Sequence, residues 1–148
     1  MEVTSTRADN VPRKVLIVDP DWSALRDTAE ILARAGYVVT TAASFEEARQ
    51  RLRIEEPHVL IADVRLGAHN GLHLVIRSRA DFPKIAAIVT HVAPDPVLSA
   101  EATAVDAVYL VKPLESEELL RVLRRLFSQR PAESIGPVTA TPSAPRRS

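Results

Sequence analysis

The chain has 148 residues, 46% of them hydrophobic and 26% charged, enough apolar material for one globular core. Nineteen basic residues balance nineteen acidic ones, so the overall charge gives no footprint for nucleic acid or an anionic membrane. Cysteine is absent, which excludes disulfides and thiolate chemistry; no stretch approaches the ~18 apolar residues of a membrane span, and the start, MEVTSTRADNVPRK, lacks an apolar leader, so a cytoplasmic protein is expected.

Residues 1–12 are polar and unpatterned and read as a flexible N-terminal arm. KVLIV (14–18) opens the ordered part as an apolar run suited to a strand buried on both faces. A helical pattern follows from Asp21 to Ala35, with Leu25, Ala29 and Leu32 on one stripe and Gly36 as the stop. YVVTT (37–41) is the second strand, and Ser44-Phe45-Glu46-Glu47 is a capping box that starts a helix faced by Phe45, Ala48 and Leu52. HVLIA (58–62) is the third strand, followed by a stripe of Leu72, Val75 and Ile76. IAAIV (85–89) is the fourth; Asp95-Pro96, a cap followed by proline at the first helical position, then starts an Ala-rich helix to about Ala104. AVYLV (107–111) is the fifth, and Leu119, Val122, Leu123 and Leu126 form the last helical stripe. Beyond Phe127, residues 128–148 hold four of the eleven prolines and read as a disordered tail.

Strand and helix alternate five times, which predicts a parallel sheet covered by helices on both faces. Such sheets bind ligands at the carboxyl ends of their strands. The residues at those ends are Asp19 and Asp21 after the first strand, Asp63 after the third, Thr90 after the fourth, and Lys112-Pro113 after the fifth. Clustered carboxylates repel unless a cation or protons intervene. Mg²⁺ needs only one or two carboxylates besides water and phosphate oxygens. A carboxylate is also a nucleophile toward phosphorus, and a metal and an ammonium neutralise the oxygens of a transferring phosphoryl group.

The motifs VLIVDPD, VLIADVRLGAHNG, IVT ending at Thr90 and YLVKP ending at Pro113 stand in this order. Asp63 lies eight residues before Gly71, and Thr90 lies 22 before Lys112. Over residues 13–127 the chain thereby resembles the receiver domains of bacterial response regulators in two-component systems. The resemblance implies an α/β, flavodoxin-like (βα)5 three-layer sandwich of strand order 2-1-3-4-5. It implies Asp63 as phosphoacceptor in a phosphorelay, Asp19 in a Mg²⁺-binding acidic pocket, and the backbone carbonyl of Arg65 as a metal ligand. Thr90 and Lys112 would hold the phosphoryl group, Tyr109 would report the state of the site with Thr90, and the Lys112–Pro113 bond would be cis. The donor would be a histidine kinase or phosphotransfer protein. A stand-alone receiver would signal by protein–protein contact through the face of the fourth helix, fifth strand and fifth helix, without nucleic acid or membrane. It would catalyse at most its own phosphorylation and dephosphorylation.

Four positions depart from the family pattern. Pro20 stands where a second, metal-touching acid is usual, Gly67 replaces the proline of the acceptor loop, Asn70 replaces an acid before the loop glycine, and Val105-Asp106-Ala107 replaces a Gly-Ala pair. Pro20 leaves two readings. In one, Asp19 caps the first helix with Pro20 at its first position. In the other, Asp21 substitutes as a metal ligand, or Asp19 and Asp63 hold a weakly bound Mg²⁺ with extra water. A phosphorylation-independent pseudo-receiver is the functional alternative. A haloacid-dehalogenase-like phosphatase is a remote one: Asp19-Pro20-Asp21 matches its Asp-x-Asp, but Trp22-Ser23 follows instead of Gly-Thr. Trp22 is expected to pack over the first loop. His69 and His73 read as surface histidines, and Arg121, Arg124 and Arg125 as a solvated helix face.

Overall fold

Apolar runs of four to six residues, separated by helical stripes, leave little choice but a sheet buried on both sides. The computed structural model describes residues 11–129. In chain order they form β1 (Lys14–Val18), α1 (Trp22–Arg34), β2 (Val38–Ala42), α2 (Phe45–Glu55), β3 (Val59–Asp63), β4 (Arg65–Leu66), β5 (His69–Asn70), α3 (Gly71–Asp81), β6 (Ala86–His91), α4 (Pro96–Ala104), β7 (Val108–Val111) and α5 (Ser116–Gln129). The main sheet is parallel with order β2-β1-β3-β6-β7. This is the expected 2-1-3-4-5, because the short β4-β5 pair forms its own sheet.

Strand alternation divides the core in two. Val15, Ile17, Val59, Ile61, Ala86 and Ile88 pack against Leu25 and Leu32 of α1 and Leu119 and Leu123 of α5. Leu16, Val18, Leu60, Ala62, Ala87 and Val89 pack on the other side against α2, α3 and α4, through Phe45, Ala48, Leu74, Val75 and Ala102. Two stripe positions differ from the expectation. α3 buries Leu72, Leu74, Val75 and Ser78, so Ile76 falls outside the inward arc and is exposed. Phe127, rather than Leu126, closes the last stripe as a buried residue, with Leu126 only packed at its edge.

The helix ends follow local chemistry. Ser44 caps α2 by accepting from the Glu47 amide at 3.1 Å, but the Glu47 carboxylate reaches the Ala43 amide at 3.0 Å, one residue before the usual capping-box partner. Asp95 caps α4 by accepting from the Val97 and Leu98 amides. α1 ends in a Schellman motif in which Gly36 at φ 97° donates to Ala33 and Tyr37 donates to Leu32. α4 ends the same way with Asp106 at φ 57° donating to Thr103 and Ala107 donating to Ala102. Asp106 thus fills the left-handed position that a glycine takes most easily, a conformation Asp tolerates better than most residues. Arg79 spans this turn, donating to the carbonyls of Ile85, Val105 and Asp106.

α5 continues through Ser128 and Gln129, two residues past the expected boundary. The rest of the expected arm and tail, residues 1–10 and 130–148, lies outside the described residues. Among the described residues no helix is long and apolar enough to cross a membrane.

Candidate functional site

β1, β3 and β6 are adjacent and parallel, so their carboxyl ends lie side by side. Val18 pairs with Ala62, and Asp19 and Asp63 come one residue further along. Asp63 itself pairs with Thr90 across β3 and β6. All three are buried, at 5%, 7% and 3% exposure respectively. Their parity matches Ile17, Ile61 and Ile88, so they face the α1 and α5 side of the sheet, whereas His91 and Tyr109 belong to the opposite side.

Lys112 joins this group from the far end of β7. Its ammonium nitrogen is 2.8 Å from Asp19 Oδ2 and 3.6 Å from Asp63 Oδ1, with the Lys112 side chain only 13% exposed. The Lys112 amide donates to the His91 carbonyl at 2.7 Å, and the Lys112–Pro113 bond is cis. The geometry therefore collects Asp19, Asp63, Thr90 and Lys112 in one pocket. Burial holds the Asp63 carboxyl above the usual carboxylate range; the Lys112 ammonium pulls the other way, the neighbouring Asp19 charge adds to the rise, and His91 opposes it weakly.

The structure departs from the expectation that Asp19 caps the first helix with Pro20 at its first position. It is Asp21, not Asp19, that caps α1: its Oδ1 accepts from the Ser23 and Ala24 amides at 3.0 and 3.4 Å. Pro20 therefore precedes the cap and is not the first helical residue. The reason is geometric. Asp21 has the extended backbone of a cap, φ −83° and ψ 106°, and its carbonyl accepts the first helical bond from Leu25. Asp19 is left free of capping, and its Oδ1 accepts instead from the Asp21 amide at 2.9 Å. One oxygen of the Asp21 carboxylate serves the start of the helix, while Lys112 pairs with Asp19 and Asp63. Trp22, expected over the first loop, is 71% exposed, because it starts the helix on the outward side.

The loop after Asp63 contains a feature that sequence reasoning misses, the hairpin β4-β5 with its two-residue turn. Gly67 takes φ 64° at the first turn position, where a type II′ turn requires a positive angle. Proline, whose φ is fixed at about −65°, could not take this angle. The Gly71 amide donates to the Val64 carbonyl at 2.8 Å, so the next pair, Arg65 and Asn70, is the non-hydrogen-bonded one. The Arg65 carbonyl is thus turned away from β5. Asn70 caps α3 by accepting from the Leu72 amide at 2.7 Å, a role its amide oxygen fills as well as an acid's. A Cβ on Gly71 would lie 2.2 Å from the Asp63 carbonyl oxygen, so only glycine lets α3 start against the Asp63 backbone.

Around this centre, Tyr109 is partly buried against the α2–α4 core, with its hydroxyl donating to the Ala93 carbonyl at 2.8 Å. His69 stacks on Phe45 with ring centroids 4.3 Å apart and His73 is tilted at 6.2 Å, so the pair is an aromatic surface contact. His91 is a residue that sequence reasoning passes over. It is 8% exposed and its Nδ1 is buried with no hydrogen-bond partner among the described residues. Its position directly after Thr90 is the signal that could have found it.

A five-stranded parallel sheet of order 2-1-3-4-5 with two acids, a hydroxyl and a lysine on its carboxyl edge defines a class of α/β signalling module. The family profile of the response regulator receiver domain matches residues 15–124, and the chain belongs to that family. It is 34% identical over 128 residues to protein RcaC of Microchaete diplosiphon, covering 84% of this chain and 20% of RcaC. It is 34% identical over 122 residues to the alginate biosynthesis transcriptional regulatory protein AlgB of Pseudomonas aeruginosa, covering 80% of this chain and 26% of AlgB. The chain thus spans about a fifth to a quarter of these two relatives. The chemotaxis protein CheY4 of Vibrio cholerae superposes with a TM-score of 0.71 at 30% identity, covering 78% of this chain and 99% of CheY4. Receiver domains are signalling modules of two-component systems, and phosphoryl acceptance and Mg²⁺ binding at the accepting site are general in the family.

Proposed function

We propose that this chain is a phosphoryl-accepting receiver in the cytoplasm, with Asp63 as the acceptor and a histidine kinase or phosphotransfer protein as the donor. The observation that carries this is the placement of Lys112 Nζ between Asp19 Oδ2 and Asp63 Oδ1, with Thr90 paired to Asp63 across the sheet. In the transfer, an Asp63 carboxylate oxygen attacks phosphorus, the phosphorus–nitrogen bond to the donor imidazole breaks, and the imidazole leaves with the bonding pair. Lys112 balances charge on the transferred oxygens, and the Thr90 hydroxyl donates a hydrogen bond to one of them. The phosphorylated state then biases Thr90 and Tyr109, and the face of α4, β7 and α5 presents the change to a protein target.

The residues fit a hard divalent ion. Two buried carboxylates share the pocket and the Arg65 carbonyl is not used by its hairpin partner, which is within the oxygen set Mg²⁺ accepts. Mg²⁺ would supply charge neutralisation at the phosphoryl oxygens. Asp19, Asp63 and the Arg65 carbonyl would hold it, with Asp21 contributing little because its carboxylate caps α1. Pro20 offers no oxygen side chain, so affinity is expected below that of a three-acid pocket.

Radiolabelled acetyl phosphate with Mg²⁺ tests the reading. An acid-labile label on the wild type that vanishes in Asp63→Asn supports it, and an unlabelled wild type under saturating Mg²⁺ overturns it.

One observation favours a second reading, a phosphorylation-independent interaction module. Both Asp19 oxygens are already engaged, one by the Asp21 amide and one by Lys112, so Asp19 has its partners without metal or phosphate. This reading predicts that Asp63→Asn leaves in-cell activity intact.

A further inference from the structure

A second concave site lies at the opposite end of the sheet, where α2 and α3 run down toward the starts of β3 and β6. It is a cleft of about 230 Å³ floored by Leu52, Leu74 and Phe82. Arg49 and Arg53 of α2, one helical turn apart, and Arg77 of α3 line it together. None of the three has an ion-pair or hydrogen-bond partner among the described residues. Their neighbours are otherwise engaged: Arg51 is 4.0 Å from Glu47, Arg79 is bound to three carbonyls, and Ser78 donates to the Leu74 carbonyl.

Arg53 and Arg77 are exposed and Arg49 is half-buried, so water solvates them, and their shared positive potential favours an anion in the cleft. The chain as a whole is neutral, so this concentration is a local segregation of charge. Among the described residues Asp81 is the single acid lining the cleft, so the local balance is three positive charges against one negative. A phosphate monoester carries about −1.5 to −2 charge near neutral pH, which matches the surplus of two. Guanidinium forks hold such a group through paired, charge-assisted hydrogen bonds. The apolar floor has no use for inorganic phosphate, but it suits the body of a small organic molecule attached to one. The volume falls below the roughly 300–1,000 Å³ of a drug-sized pocket, which limits that body to about the size of a sugar or nucleoside.

We propose that Arg49, Arg53 and Arg77 form a binding site for a small organic phosphomonoester, separate from the acidic pocket. None of its lining residues belongs to the Asp19, Asp63 and Lys112 group, so the two sites share no side chain.

Titration of the ¹⁵N-labelled chain with AMP, glucose 6-phosphate, inorganic phosphate, sulfate and a phosphoserine peptide tests this by amide shifts, at fixed ionic strength. Saturable shifts at Leu52, Leu74, Ser78 and Phe82 are expected with AMP or glucose 6-phosphate, tighter than with inorganic phosphate or sulfate. Affinity should fall at least about tenfold in the double variant Arg49→Gln/Arg77→Gln. It should be unchanged in Asp63→Asn and in Arg121→Gln/Arg125→Gln, which removes equal charge elsewhere; all these positions are at the surface or retain volume, and the amide spectrum itself reports folding. Absence of saturable shifts at the cleft, shifts equal with sulfate, or equal binding by the Arg49/Arg77 variant overturns the proposal. Binding of the phosphoserine peptide alone overturns the assignment to a small molecule.

Discussion

Gly71 and Asp63 are eight residues apart in sequence, yet the structure presses one backbone against the other. A methyl group at position 71 cannot be relieved by a side-chain rotation, because the obstructing atom is the Asp63 carbonyl. Gly71→Ala is therefore expected to lower stability by about 2 kcal/mol, typical of an overpacked site, and to impair labelling of Asp63 as well. Urea denaturation and the acetyl phosphate assay measure the two effects separately. Asp21 gives the converse case. As a helix cap, Asp21→Ala should cost about 1 kcal/mol in urea denaturation. Its Mg²⁺ affinity, followed by titration, should stay close to wild type; a large loss would return Asp21 to the metal-binding set. The sequence alone could not separate Asp19 from Asp21, because both sit where a cap or a ligand can stand. The backbone angles at Asp21 make the distinction, and a proline between the two acids is compatible with either arrangement.

At the scale of elements, apolar patterning is sufficient for the five main strands and four of the five helices, and α4 is legible from its Asp95-Pro96 start instead. Their ends move by a residue or two because capping and strand pairing, rather than hydrophobicity, set them. The hairpin β4-β5 escapes sequence reasoning because its four paired residues carry no period to detect, and Gly67 reads there only as a missing proline. The Val105-Asp106-Ala107 departure is legible as a difference but not as a mechanism. The positive φ at Asp106 supplies the mechanism, and Arg79 stabilises the turn by bridging the end of α3 to the approaches of β6 and β7. Replacing Arg79 with Met keeps much of the aliphatic stem and removes the three donated bonds. It should destabilise the fold by roughly 2 kcal/mol, with faster amide exchange concentrated in β7 and the end of α4.

Over the whole molecule, the amino ends of the strands impose a pH dependence unrelated to the acidic pocket. The Lys14 amide donates to His58 Nδ1 at 2.9 Å, so that ring nitrogen must be unprotonated in the fold. Burial, with the charges of Arg13 and Lys14, holds the His58 pKa below its ordinary value. The unfolded chain takes up a proton near pH ~6.5, before the folded chain does. Below that pH the unfolded state binds more protons, so this contribution is fully present above about pH 6.5 and is lost as pH falls toward the folded value. The urea midpoint should drop between about pH 7.5 and 5.5, and the drop should be smaller in His58→Gln; an identical drop in the variant would remove His58 as its source. Asp63, Thr90 and Lys112 are legible in the sequence because alternating strands and helices bring strand ends together whatever lies between. The arginine cleft is not, since its members are spread over two helices whose mutual packing no periodicity reports.

The acids and Thr90 face one side of the sheet, and His91 and Tyr109 face the other. The two faces are joined at the site by single peptide links, Thr90 to His91 in β6 and Asp63 to Val64 after β3, with Val64 buried in the α2–α4 core. A partner held on the α1 side and one held on the α4 side would meet different surfaces, and a contact that reaches α5 would bring them onto shared ground.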